Sequence, residues 1–227
     1  MNFKQQAAER AIALVNENDI VGLGAGSTMA YAAGFLKKRI DDGLTVKLVT
    51  SSFTTYQLLA KENLTVLPAG LLKEIDIYFD GCDQLDKQLN ALKSGGGIHT
   101  QEKLLASMAK QFVLVGDETK LADNFDIRYP LVIEMLPQSL SFVPCKIETF
   151  FPRTQSSIRM GDKKDGPVIT LNGNYLLDVY FENWPDLADI HRSVRSISGV
   201  VETSLFYGIA SKAIIAGENG VTVLDRK

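Results

Sequence analysis

The side chains best suited to chemistry lie between Asp80 and Lys103, in the stretch DGCDQLDKQLNALKSGGGIHTQEK. Asp80 and Asp83 are separated only by Gly81 and Cys82, so a tight turn would let both carboxylates face one cavity. Lys93 stands before Ser94 and three glycines, Gly95, Gly96 and Gly97, whose backbones tolerate positive φ and the close approach of a ligand. Glu102 falls in the first turn of an expected helix, with Thr100 as its N-cap and Leu104, Leu105 and Met108 as its buried stripe. Together these residues hold what a proton transfer beside a carbonyl needs: a base, a cation for the developing oxyanion, and acid/base groups for the hydroxyls.

A second cluster lies near the N-terminus. The apolar run Ile20–Leu23 reads as a strand, and a helix presenting Ala32, Phe35, Leu36 and Ile40 follows the loop Gly24-Ala25-Gly26-Ser27-Thr28. A strand, a glycine-rich turn and a helix N-terminus make an anion site, since free N–H groups and the helix dipole both favour negative charge. Ser27 and Thr28 add hydroxyl donors, and a phosphate fits the chemistry. Gly26, not Lys, precedes Ser27, which excludes a P-loop, and the third glycine comes one residue too early for a dinucleotide fingerprint. The next strand, Val46–Thr50, ends in Ser51 and Ser52 instead of the acid that would bind a ribose hydroxyl.

The elements that must position these groups alternate. A helix is expected over Phe3–Asn16, then strands and helices at Val46–Thr50, Phe53–Lys61, Leu64–Leu67, Ile75–Phe79 and Phe112–Val115. This alternation predicts an α/β fold with a doubly wound, mostly parallel open sheet, and Asp80 then sits at a strand's C-terminal end, where such sheets bind ligands. From about residue 129 the texture becomes α+β. Strands are expected at Leu131–Met135 and Ser156–Met160, a helix at Val143–Phe151, and a pair of strands over Pro167–Tyr180 turning at Asn172-Gly173. A helix striped by Leu187, Ile190, Val194 and Ile197 closes before Gly199. The expected division is a catalytic α/β domain of residues 1–128 with 200–227, and a smaller α+β, lid-like domain of residues 129–199.

Composition narrows the function classes. A chain of 227 residues, 45% hydrophobic and 22% charged, can bury a substantial core. A net charge of -3 with scattered basic residues argues against a nucleic-acid or membrane partner. Cys82 and Cys145 lack metal-ligand spacing, as do His99 and His191, so no metal and no cofactor is expected, and a reducing, cytoplasmic setting is.

DGCDQLD, LKSGGG and QEK, followed by FVLVGDETK, resemble in order and spacing the motifs of the ribose-5-phosphate isomerase type A family, whose patterns are close to DGADE, KGGGG, REK and DxSK. The resemblance implies a cofactor-free aldose-ketose isomerase acting on a sugar phosphate through an enediolate. It implies Glu102 as the carbon base, Lys93 as the cation near the enediolate oxygen, and Asp80 with Asp83 for hydroxyls and ring opening. Gly81, Cys82, Ser94, Gly95, Gly96 and Lys120 then line the substrate, while the loop from Gly24 to Thr28 binds the phosphate with Lys4 as a further partner. A first-turn position lowers the pKa of Glu102 through the helix dipole, so burial or nearby Asp80 and Asp83 are expected to oppose it. The chain departs from the family at Ala25 (Thr), Ser94 (Gly), Gln101 (Arg) and Leu171 (Asp of a TDNGN hairpin). The Ser94 side chain is expected to narrow the cavity. The resemblance also implies a homodimer or a dimer of dimers. Two other readings are a sugar-phosphate sensor related to the effector domains of DeoR-like repressors, for which the one helix before the first strand leaves no DNA-binding module, and an enzyme with another sugar-phosphate substrate.

Overall fold

Asn2 accepts a hydrogen bond from the Gln5 N–H and so caps α1 (Phe3–Ile12). The computed structural model describes residues 2–163 and 165–226. The chain continues through β1 (Ile20–Leu23), α2 (Ser27–Asp41), β2 (Lys47–Thr50), α3 (Phe53–Lys61) and β3 (Ile75–Asp80). Two short strands, β4 (Gln84–Leu85) and β5 (Ala91–Leu92), precede α4 (His99–Met108) and β6 (Ala109–Asp117). Then come β7 (Leu131–Met135), α5 (Phe142–Phe150), β8 (Gln155–Ile158), β9 (Tyr175–Tyr180) and α6 (Leu187–Arg195). The last strands are β10 (Val200–Thr203), β11 (Leu205–Phe206), β12 (Lys212–Gly217) and β13 (Gly220–Asp225).

The main sheet has the order β13-β12-β6-β3-β1-β2, parallel throughout except for the antiparallel edge pair β12 and β13. This is the doubly wound sheet that the alternation predicts. On one face α1 and α2 bury an alanine-rich stripe (Ala7, Ala8, Ala11, Ala32 and Ala33) against Val21, Leu23, Val113 and Val115. Small side chains let these helices approach the sheet closely. On the other face Tyr78, Phe112 and Phe206 stack with centroids 5.5 and 5.9 Å apart, beneath Leu105 of α4.

The second body is an antiparallel sheet, β10-β7-β9-β8, whose core takes Val143 and Ile147 from α5 and Ile190 and Val194 from α6. β10 pairs with β7, so Val200–Thr203 stays with this sheet and the chain rejoins the first body at β11. A small sheet, β11-β5-β4, joins the two. Ala91 and Phe206 face the first core while their neighbours Leu92 and Leu205 face the second, as period-two alternation requires.

Several expected elements differ. α1 stops at Ile12 instead of Asn16, because Arg39 takes the carbonyls of Ile12 (2.6 Å) and Val15 (3.0 Å). Leu64–Leu67 forms only a bridge from Val66 to Leu48, and Pro68, which has no N–H, ends it. The first arm of the Pro167–Tyr180 pair is likewise reduced to bridges at Pro167 and Ile169. Thr100 does not cap α4: Ile98 holds the N-cap position, and the Thr100 hydroxyl bonds Glu134. Leu104 is exposed, so the α4 stripe consists of Leu105 and Ala106 with the partly buried Met108.

The register of β1 on β3 sets up the site. Gly22 pairs with Tyr78, and a Cβ there would meet the Tyr78 ring at 2.5 Å. A Cβ on Gly24 would lie 2.0 Å from the Asp80 carboxyl carbon. These glycines leave room for two buried side chains on the neighbouring strand. Gly24→Ala is therefore expected to destabilise by about 3 kcal/mol or more, since Asp80 must give up its hydrogen bonds to move. Gly34→Ala, on the open face of α2, should instead stabilise by about 0.5–1 kcal/mol. Denaturant titration of the two variants measures both.

Candidate active site

The strand order reverses between β1 and β3, and the crevice beyond their C-terminal ends is where a doubly wound sheet binds ligands. A cavity of about 390 Å³ lies there. Of the residues expected from sequence, Lys4, Ala25, Gly26, Ser27, Thr28, Gly81, Cys82, Asp83, Lys93, Gly96, Glu102 and Lys120 line it. Gly24, Asp80, Ser94 and Gly95 do not, and Val115 and Gly116, at the end of β6, line it unforeseen.

Asp80 is wholly buried behind the cavity wall. Its Oδ1 accepts from the N–H groups of Ala25 (3.2 Å) and Gly81 (2.8 Å), and its Oδ2 accepts from the Tyr78 hydroxyl (2.8 Å). Tyr78 in turn shares a hydrogen with Ser51 at 3.0 Å. Both were missed in the sequence, although Tyr78 and Asp80 are two apart on a strand and so share a face. The Lys93 ammonium pairs with Asp80 Oδ2 at 3.0 Å and Glu102 Oε1 at 3.3 Å, and donates to the Gly81 carbonyl at 2.6 Å. Burial opposes its charge, but Asp80 and Glu102 overcome that and hold its pKa above the ordinary lysine value.

Glu102 is only 4% exposed. Burial, and then the negative charges of Asp80 and Asp83, push its pKa up to about 8 against the pull of Lys93. Burial and the two aspartates thus act in the direction opposite to the helix dipole's. Among the described residues Lys93 is the one ammonium paired with both Asp80 and Glu102. Asp80 accepts three N–H or O–H donors besides Lys93, and Glu102, raised to about 8, is the proton acceptor.

Asp83 Oδ2 accepts the N–H groups of Ser94 (2.6 Å) and Gly95 (3.0 Å), which ties the acidic turn to the glycine loop. The Ser94 side chain does not narrow the cavity: it is buried and its hydroxyl donates outward to the Pro130 carbonyl at 2.5 Å. Arg159, held by Asp178 at 2.6 Å, donates to the carbonyls of Ser94 (2.9 Å) and Gly95 (3.3 Å) and grips the loop from the second body. Cys82 lines the cavity as a neutral thiol, its pKa pushed up to about 12 by burial.

The anion-binding part follows from α2. Gly26, at φ 94 and ψ 178, turns the chain into the helix in a conformation that only glycine adopts readily, and no side chain caps the first turn. Its backbone therefore faces the cavity beside the Ser27 and Thr28 hydroxyls. Lys4 reaches across from α1 to within 3.3 Å of Ser27 Oγ, and Lys120 adds a second cation from the turn after β6. Ala25 lacks a hydroxyl but donates its N–H to Asp80, a bond that needs no particular side chain. Gln101 and Leu171 lie outside this cavity and border a separate apolar groove of about 450 Å³. Among the described residues no group of three or more His, Cys, Asp or Glu side chains is placed to hold a metal ion.

A sequence model of the family described as ribose 5-phosphate isomerase A (phosphoriboisomerase A) matches residues 47–220. The ribose-5-phosphate isomerase A of Thermosynechococcus vestitus is 36% identical over 218 residues, covering 95% of this chain and 91% of that one. That of Methanothermobacter thermautotrophicus is 36% identical over 225 residues, covering 99% and 98%. Among solved structures, ribose 5-phosphate isomerase A from Methanocaldococcus jannaschii superimposes with a TM-score of 0.91 at 33% identity, covering 99% of this chain and 98% of that one. A D-ribose-5-phosphate isomerase in complex with phospho-erythronic acid superimposes with a TM-score of 0.92 at 32% identity, covering 100% of both. The chain belongs to the ribose 5-phosphate isomerase A family.

Proposed function

We propose that this chain interconverts D-ribose 5-phosphate and D-ribulose 5-phosphate by proton transfer through an enediolate, with Glu102 as the base. The observation that carries the reading is the buried Glu102 carboxylate on the cavity wall, 3.3 Å from Lys93 and raised to about 8. In the aldose-to-ketose direction Glu102 takes the proton from C2, the C2–H electron pair forms the enediolate double bond, and the aldehyde oxygen gains negative charge. Lys93 stabilises that charge. The O2 hydroxyl proton passes to O1, protonated Glu102 returns its proton to C1 and the ketone forms at C2; a carboxylate near its midpoint at neutral pH can both take and return the carbon-bound proton.

Asp83, with Oδ2 engaged by the loop, has Oδ1 left for a sugar hydroxyl and for opening the furanose ring. Asp80 acts from behind the wall by holding Lys93 and the Ala25 N–H. The phosphate binds at the start of α2, with Lys4 and Lys120 as counter-charges. The complex of a related enzyme with phospho-erythronic acid supports this reading, since that ligand pairs a phosphate with a planar carboxylate. The second body would serve as the lid over the cavity, and the enzyme would work as a homodimer or a dimer of dimers. Its place would be the cytoplasm, because the doubly charged substrate does not cross a bilayer unaided.

Two outcomes test the proposal. Glu102→Gln should lower kcat by about 10³-fold or more with KM for ribose 5-phosphate nearly unchanged, and should abolish deuterium uptake at C2 from deuterated water. Full turnover by this variant would remove Glu102 from the chemistry. In the wild type the working form is the carboxylate, so kcat/KM should rise with pH and level off above about 8. A limb centred near 4.5 would mean that Lys93 outweighs burial at Glu102.

A further inference from the structure

Of the buried carboxylates that the mechanism leaves unused, Glu134 is the one with no exposure at all among the described residues. Glu134 lies near the middle of β7 and is fully buried, and among the described residues no cation pairs with it. Its Oε1 accepts from Thr170 Oγ1 (2.9 Å), Asn172 Nδ2 (3.0 Å) and Asn174 Nδ2 (2.8 Å), and its Oε2 accepts a short bond from the Thr100 hydroxyl. Burial works against its charge, yet these four bonds hold its pKa below the ordinary glutamate value. A lone anion in an interior is unfavourable unless fully hydrogen-bonded, so a side chain kept here needs a reason.

Where the donors come from supplies it. Three belong to the tight turn from Thr170 to Asn174, within Glu134's own body. The fourth, Thr100, sits in the first turn of α4, two residues before Glu102. The same turn reaches the next residue as well, since Gln101 Nε2 donates to Asn172 Oδ1 at 3.1 Å. Just upstream, Gly97 at φ 67 presses so close to the second body that a Cβ would meet Leu176 at 2.8 Å. α4 has no side-chain N-cap of its own, so no capping side chain of its own helps fix its first turn.

We propose that Glu134 is a positioning residue: through Thr100 it sets the rotation of the first turn of α4 and thus the aim of Glu102 into the cavity. This rests on Glu102 being the carbon base. A base that serves two adjacent carbons must be placed within tenths of an ångström, and a shift of 1 Å can lower a rate by about 100-fold. The phosphate site depends on α1, α2 and the turn after β6, none of which bonds Glu134, so its effect falls on turnover and not on substrate affinity.

The test is a pair of substitutions on the partner residue. Thr100→Val keeps the branched shape and removes the hydroxyl, while Thr100→Ser keeps the hydroxyl. The expected result is a fall in kcat of about 10- to 100-fold for the valine variant with KM within about threefold, and near-normal kcat for the serine variant. Glu134→Asp, which keeps the carboxylate but draws it back by one methylene from the Thr100 hydroxyl, should reproduce the kcat-selective loss. It decides the matter if the valine variant does not fold. A purely structural role predicts lower melting temperatures with kcat and KM intact at permissive temperature, which would overturn the proposal. Measured beside them, an active Glu102→Gln would end the base assignment itself. An inert Glu102→Gln next to a fully active Thr100→Val would leave the base in place and end the positioning role.

Discussion

The Lys93 ammonium, shared between Asp80 and Glu102, is the interaction on which the rest of this structure turns. Three ionisable groups are buried together, which is tolerable only because each finds partners. Asp80 has the N–H groups of Ala25 and Gly81 and the Tyr78 hydroxyl, and Lys93 has the Gly81 carbonyl besides its two carboxylates. Glu102 is left with the least support and so keeps an affinity for protons near neutrality. The cluster also accounts for features that read at first as ligand chemistry. Gly22 and Gly24 are glycines because Tyr78 and Asp80 fill the space a side chain would need.

The ionisable groups of the cavity hang from the first body, yet the second body holds them in place. Arg159 grips the carbonyls of Ser94 and Gly95, Ser94 reaches back to Pro130, and Glu134 takes the first turn of α4. Lys103, the residue after Glu102, runs through the same joint. Its buried ammonium donates to Glu202 Oε1 and to the carbonyls of Thr203 and Leu205, which fastens α4 to β10 and β11, while burial lowers its pKa to about 8. Loop and helix are thus clamped from both sides, the kind of preorganisation that proton transfer at carbon requires.

Much was legible in the chain alone. Alternating buried strands and amphipathic helices predict the parallel sheet, because burying both faces of a strand and one face of a helix leaves periodicities that sequence records. The Asp80–Asp83 turn, the glycine loops and Glu102 stand out because unusual residue types cluster there, and they do line one cavity, with Asp80 just behind it. What local pattern could not reveal was decided by contacts between distant residues. The Thr100 hydroxyl is claimed by Glu134, 34 positions away, and not by its own helix. Ser94 points out of the cavity because a carbonyl 36 positions on accepts its hydroxyl. Leu64–Leu67 has the composition of a strand but makes only one bridge. The sequence by itself determined which elements form and which groups can carry chemistry, since those follow from short-range periodicity and residue type. Only the tertiary structure decided where Glu102 aims, how buried it is and how readily it takes a proton, because burial and charge proximity exist only once β3, the loop after β5 and α4 pack together.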